Sequence, residues 1–147
     1  MDMSIRKQLI LHDTTRPEGI YGNYLTESSF GGPINECEKI CLPMNWNKEH
    51  WYLCIIDIIS RQVFICDSAP DSDAVNKERE NNAKIVCAAI EEALSYGFGH
   101  GHKGDVNNYK FTMPENCPKQ GNGSDCGIYI AKFMEHCGDV KSGFKLL

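Results

Sequence analysis

The stretch HWYLCIIDIISRQVFICD, residues 50–67, decides the fold. From His50 to Ile59 it is apolar on both of the faces between which a strand alternates, which predicts a central strand covered above and below. ISRQ then reads as a turn. QVFICD, residues 62–67, reads as the return strand of a hairpin.

Working outward, KICLP (39–43) predicts a short strand stopped by Pro43. Downstream, DSAPDSD is a loop ending in good helix-capping residues. From Ala74 to about Tyr96 the pattern is helical, with Val86, Ile90, Ala93 and Leu94 on one stripe and charges on the other faces. Gly97 ends it, and GFGHGHKGDVNN is a loop. YKFTM (109–113) predicts a strand closed by Pro114. From Gly127 to about Cys137 a last helix turns Ile130, Phe133, Met134 and Cys137 inward. The order of elements predicts an α+β fold with a mostly antiparallel sheet. Residues 1–38 are turn-rich and without an assigned role, and RKQLILHD within them suits a short helix or a strand. Residues 39–147 are expected to carry the functional domain, with a single domain overall.

The chain of 147 residues is long enough for one well-formed core. Its net charge of −5 disfavours nucleic acid as the main partner, because phosphate binding needs a basic face. LCIIDII is too short to span a membrane and carries Asp57, and the N-terminal apolar run is too short for a secretory signal. Eight cysteines could suggest a disulfide scaffold. Cys54, Cys66 and Cys87, however, lie among Ile, Val and Phe, where reduced, buried thiols are expected. The expectations are therefore an intracellular protein, nuclear or cytoplasmic, acting as a monomer without cofactor. No metal site is expected. Cys37 and Cys41 lack a second close pair, and His100 and His102 alternate in a glycine loop.

Cys126 sits in QGNGSDCGIYIAKFMEHC (120–137), at the seam between a polar loop and an apolar helix. Unpaired N–H groups and the positive dipole end at such a seam favour a thiolate. Gly127 leaves the neighbouring N–H unshielded, open to a substrate carbonyl. An isolated cysteine here is ordinarily an inert core residue, so partners must decide. His136 is ten residues further on, about 15 Å away along a helix. His12, His100 and His102 lie in loop or terminal segments. His50 begins the central strand, and the hairpin brings Asp67 to the same end of the sheet. Asp67 could hold the His50 ring in the right tautomer, although each residue also suits a plain strand end or turn. Asp57 is mid-strand, and Asp125 is expected to cap the last helix. Gln120 could supply an amide donor to an oxyanion, or be a solvated loop residue.

HWYLCIID, CDSAP and CPKQGNGSDCGIYI together resemble the catalytic domain of the ubiquitin-like-protein-specific cysteine proteases, the SUMO protease family. The resemblance covers about residues 39–137. It implies a papain-like or adenain-like core with Cys126 as nucleophile, His50 as general base, Asp67 as its orienter and Gln120 as oxyanion donor. It further implies that Trp51 roofs a narrow tunnel passing only a Gly-Gly tail. The implied substrate and partner is SUMO or a related ubiquitin-like modifier and its conjugates. The family's upstream Trp-Leu-x-Asp motif does not occur, no Trp precedes Trp46, and Gly121 stands in the Gln-to-Cys loop where Pro or Gln is usual. The alternative reading is therefore a truncated, catalytically impaired member that binds a modifier. A peptidase of other specificity, or an acetyltransferase on the same Cys-His-acid layout, would carry these residues too.

Overall fold

The computed structural model describes residues 8–10, 38–98, 106–114 and 117–137, with side chains at all of these except 8–10 and 92–98. His12, Cys37, His100 and His102 lie outside the described residues, as do the side chains of Ala93 and Leu94. Five strands form one sheet in chain order: β1 (Gln8–Ile10), β2 (Lys39–Trp46), β3 (His50–Asp57), β4 (Gln62–Cys66) and β5 (Lys110–Thr112). Helix α1 (Asp73–Phe98) follows β4, and helix α2 (Cys126–Glu135) follows β5. The two long central ladders, β2–β3 and β3–β4, are antiparallel, and the short edge ladders to β1 and β5 are parallel. β3 is thus the central strand, as its two apolar faces require.

Those two faces feed two separate cores. Ile40, Leu42, Tyr52, Cys54, Ile56, Val63 and Ile65 pack with Ala83, Val86, Cys87 and Ile90 of α1. Cys41, Leu53, Ile55, Phe64 and Cys66 pack with Ile130 and Phe133 of α2. Alternate residues of the same strands therefore go to opposite helices. A slip of one residue would exchange the two cores, so register is strongly specified.

Pro43 does not stop β2, contrary to the sequence expectation. The strand continues to Trp46, with Pro43 opposite Leu53. β1 reaches only to Cys41, so the missing N–H of Pro43 falls where β1 asks for none. RKQLILHD resolves as a strand at Gln8–Ile10, adding an edge to the same sheet.

Tyr52 is buried, and its hydroxyl donates to the Arg79 carbonyl at 2.9 Å, tying β3 to α1. Burial, more than any neighbour, pushes the hydroxyl well above the usual tyrosine range. A proton held more tightly in the fold stabilises it below the unfolded-state value of about 10, and that contribution disappears as pH rises towards the raised folded value. Tyr52→Phe should cost about 1 kcal/mol near neutral pH, because the Arg79 carbonyl keeps its own helix partner. Above about pH 10, denaturant melts should show wild type losing more stability than the Phe variant. Parallel losses would assign the alkaline transition to other groups.

Candidate active site

The β2–β3 hairpin sets the position of His50. Asn47 and Lys48 take left-handed backbone, φ 50° and 61°, and the Glu49 N–H donates to the Trp46 carbonyl at 2.9 Å. Two successive positive φ values give the tight turn whose twist matches antiparallel strands. Trp46 then faces His50 across the ladder. On the return, β4 ends at Cys66, and Asp67 is the next residue.

His50 and Asp67 meet as the sequence suggested. Nε2 of the buried imidazole lies 2.7 Å from Asp67 Oδ1. A carboxylate only accepts, so the neutral ring carries its proton on Nε2 and leaves Nδ1 as the basic nitrogen. Asp67 is itself 2% exposed and held on every side. Oδ1 also accepts from the Ala69 N–H at 3.0 Å, Oδ2 accepts from Arg79 Nη1 at 2.7 Å, and the backbone carbonyl accepts from Lys119 Nζ at 3.4 Å. Asp57, the weaker candidate, ends β3 seven residues from His50, about 24 Å along a strand. There it accepts from Ile59 N–H and Ser60 N–H and caps a turn.

Arg79 was not singled out from the sequence, where it looks like one charge in KERE. The missed signal is its phase, since Arg79, Ala83, Val86 and Ile90 lie on one stripe of α1. Its side chain is buried, and its guanidinium stacks 5.8 Å from the Trp46 ring.

Cys126 is the first residue of α2, one residue earlier than expected, and is 8% exposed. Asp125 occupies the N-cap position but makes no side-chain cap bond, contrary to expectation. Its carboxylate instead accepts from Asn122 Nδ2 at 2.8 Å. The first N–H groups of α2 are therefore not taken by a side-chain cap, which suits an anion at Cys126 or beside it. A Cβ built on Gly127 would meet nothing within 4 Å, so the space before this helix end is open.

The loop ahead of Cys126 is well braced despite Gly121. Asn122 Oδ1 accepts from the N–H groups of Ser124 and Asp125, each at 3.0 Å. Tyr129 of α2 reaches back to the Lys119 carbonyl at 3.0 Å. Gln120 is locked to the end of β4. Its N–H donates to the Ser68 carbonyl at 2.8 Å, and its Oε1 accepts from the Ser68 hydroxyl at 2.5 Å. Its Nε2 donates one hydrogen to the Asn122 carbonyl at 2.7 Å, and the amide has a second to offer. Trp51, beside His50, is 37% exposed, unlike the buried residues that follow it in β3.

The structure thus joins His50 to Asp67 and Gln120 to Ser68. Among the described residues no hydrogen bond links His50 to the Cys126 thiol. Such contacts are commonly looser before substrate is bound.

A His–Asp pair at the end of a mixed sheet, with a helix that opens on a cysteine, has the layout of the papain-like cysteine peptidase fold. The chain belongs to the Ulp1 protease family, whose C-terminal catalytic domain matches residues 25–138. Ubiquitin-like-specific protease 1 of Saccharomyces cerevisiae is 30% identical over 97 residues, which cover 66% of this chain and 14% of that protein. Ubiquitin-like-specific protease ESD4 of Arabidopsis thaliana is 25% identical over 118 residues, 76% of this chain and 21% of that protein. The chain thus spans about a seventh and a fifth of these relatives' lengths. Among solved structures, the C-terminal Ulp1 protease domain in complex with Smt3, the yeast orthologue of SUMO, superposes with a TM-score of 0.62 at 19% identity. That match covers 93% of this chain and 59% of the other. The Xanthomonas campestris effector XopD bound to ubiquitin gives 0.53 at 14% identity, covering 94% and 68%. Both likenesses are likenesses of fold.

Proposed function

We propose that this chain is a cysteine peptidase that cleaves after the C-terminal Gly-Gly of SUMO or a related ubiquitin-like modifier, acting on precursors and on conjugates. The observation that carries the reading is the 2.7 Å His50–Asp67 contact, with Gln120 tied to Ser68, the residue after that acid. His50 Nδ1 takes the Cys126 proton and the thiolate attacks the carbonyl carbon of the last glycine. The oxyanion is met by N–H groups at the start of α2 and by the Gln120 amide. The C–N bond breaks as His50 returns the proton to the leaving amine, giving a thioester. Water activated by His50 then hydrolyses it, releasing the modifier's carboxylate and the thiol. An exposed Trp51 beside the base suits a flat lid over a tail without side chains. Residues 39–147 would hold this domain, working inside the cell in the nucleus or cytoplasm. Among the described residues no helix is long and apolar enough to cross a membrane.

The test is intact-mass spectrometry after incubation with SUMO, Nedd-type and ubiquitin probes carrying a C-terminal electrophile. An adduct with one modifier supports the reading and names the substrate class. A folded protein that reacts with none would leave a modifier-binding relative without turnover. Within the same reading, Gln120→Ala should lower kcat by about 10²–10³ with little change in KM. Steady-state kinetics would show this, and an unchanged kcat would remove Gln120 from the site.

A further inference from the structure

We propose that Arg79 is a positioning residue of this site, holding the Asp67 carboxylate in the one orientation that serves His50. The inference rests on the peptidase reading for its effect on turnover, and on geometry alone for its effect on His50.

Three observations carry it. First, one nitrogen of Arg79, Nη1, donates both to Asp67 Oδ2 at 2.7 Å and to the Ala69 carbonyl at 3.0 Å. It fixes the carboxylate and the turn after it together. With Oδ2 engaged, Oδ1 is the oxygen left for the ring at 2.7 Å. Second, the guanidinium is itself aimed. It stacks on Trp46, which faces His50 across the β2–β3 ladder, and the Arg79 carbonyl is gripped by the Tyr52 hydroxyl. Arg79 is thus held by contacts to the same two strands that place the base. Third, this arginine is poorly explained as a stabiliser. Its side chain is only 5% exposed, its partner 2%, and its Nε is buried with no hydrogen-bond partner. A buried ion pair with an unsatisfied N–H contributes little that an apolar residue on the α1 stripe would not, whereas fixing the carboxylate together with the turn after it needs a charged donor at the position of Nη1.

The test uses the whole chain with histidine labelled in 15N, in wild type, Arg79→Lys and Arg79→Gln, each first shown to be folded by its circular dichroism and melting curve. The first readout is the downfield Nε2–H resonance of His50, assigned by its loss in His50→Gln. The second is kcat and KM on SUMO bearing a C-terminal fluorophore amide. Wild type should show the resonance. Arg79→Gln should lose it and lower kcat by about tenfold to a hundredfold at a KM within about twofold. Arg79→Lys, which keeps the charge without the planar fork, should fall between. A role in stability alone would lower the melting temperature and leave the resonance and kcat of the folded protein in place. That outcome overturns the proposal, as does an Arg79→Lys protein equal to wild type in both readouts, which decides the matter if Arg79→Gln fails to fold. A wild type without the resonance also overturns it. A wild type that turns over no modifier while its His50 signal follows Arg79 removes the peptidase reading and supports the positioning role.

Discussion

Cys126→Ala should abolish cleavage, lowering kcat by a factor on the order of 10⁶, as removal of a covalent nucleophile does elsewhere. Alanine keeps the backbone N–H groups at the start of α2, the open space beside Gly127 and the braced loop from Gln120 to Asp125. It removes only one sulfur atom from a buried position at the start of the helix. Folding stability should therefore change by about 1 kcal/mol or less, and binding of a modifier should persist. Loss of the electrophilic-probe adduct together with retained binding, measured by calorimetry, is the expected pair of results. If adduct formation survives, another thiol is the nucleophile. Cys117, held below the usual thiol range chiefly by its hydrogen bond with Cys66, would be the next to map.

Asp67→Asn should be nearly as damaging, by about 10⁴ in kcat. An amide has one acceptor oxygen where the carboxylate has two, and both carboxylate oxygens here face donors. With the new NH₂ at the Oδ2 position it opposes Arg79 Nη1. With NH₂ at Oδ1 it opposes the Ala69 N–H and drives the proton of His50 to the wrong nitrogen. Either orientation also leaves the buried guanidinium without its counter-charge, so a stability loss of about 3–5 kcal/mol should accompany the kinetic one. Thermal melts and kinetics on the same preparation would show both. Asp57→Asn, at the other end of β3, is the comparison that should leave kcat unchanged. A mild effect at Asp67 would move the orienting role to another acid.

How much of this was legible follows from which contacts are local. The β3–β4 hairpin and the meeting of His50 with Asp67 could be read because one unbroken stretch carries the strand pattern, the turn and both residues. The helix opening on Cys126 was legible from the change of composition at the seam. β5 was legible as a strand in YKFTM, and β1 as one of two options in RKQLILHD; their parallel pairing was not, since it is set by partners distant in the chain. Pro43 misled because a missing N–H stops a strand only where a neighbour needs it. Arg79 escaped because a charge on an apolar stripe was read as part of a solvated face. Asp125 has the right residue type for a cap, and Asn122 took its carboxylate.

The layout also predicts an order of assembly. His50 and Asp67 are 17 residues apart and share one meander, so little loop entropy opposes their meeting. The tie that brings the thiol's loop to them, Ser68 to Gln120, spans 52 residues. Contacts of that span form late, and later still in a chain emerging from its N-terminal side. During synthesis the proposed acid and base can therefore meet before Cys126 reaches them. On the peptidase reading, the site would be completed only with the docking of α2, so a half-made chain would carry no assembled triad.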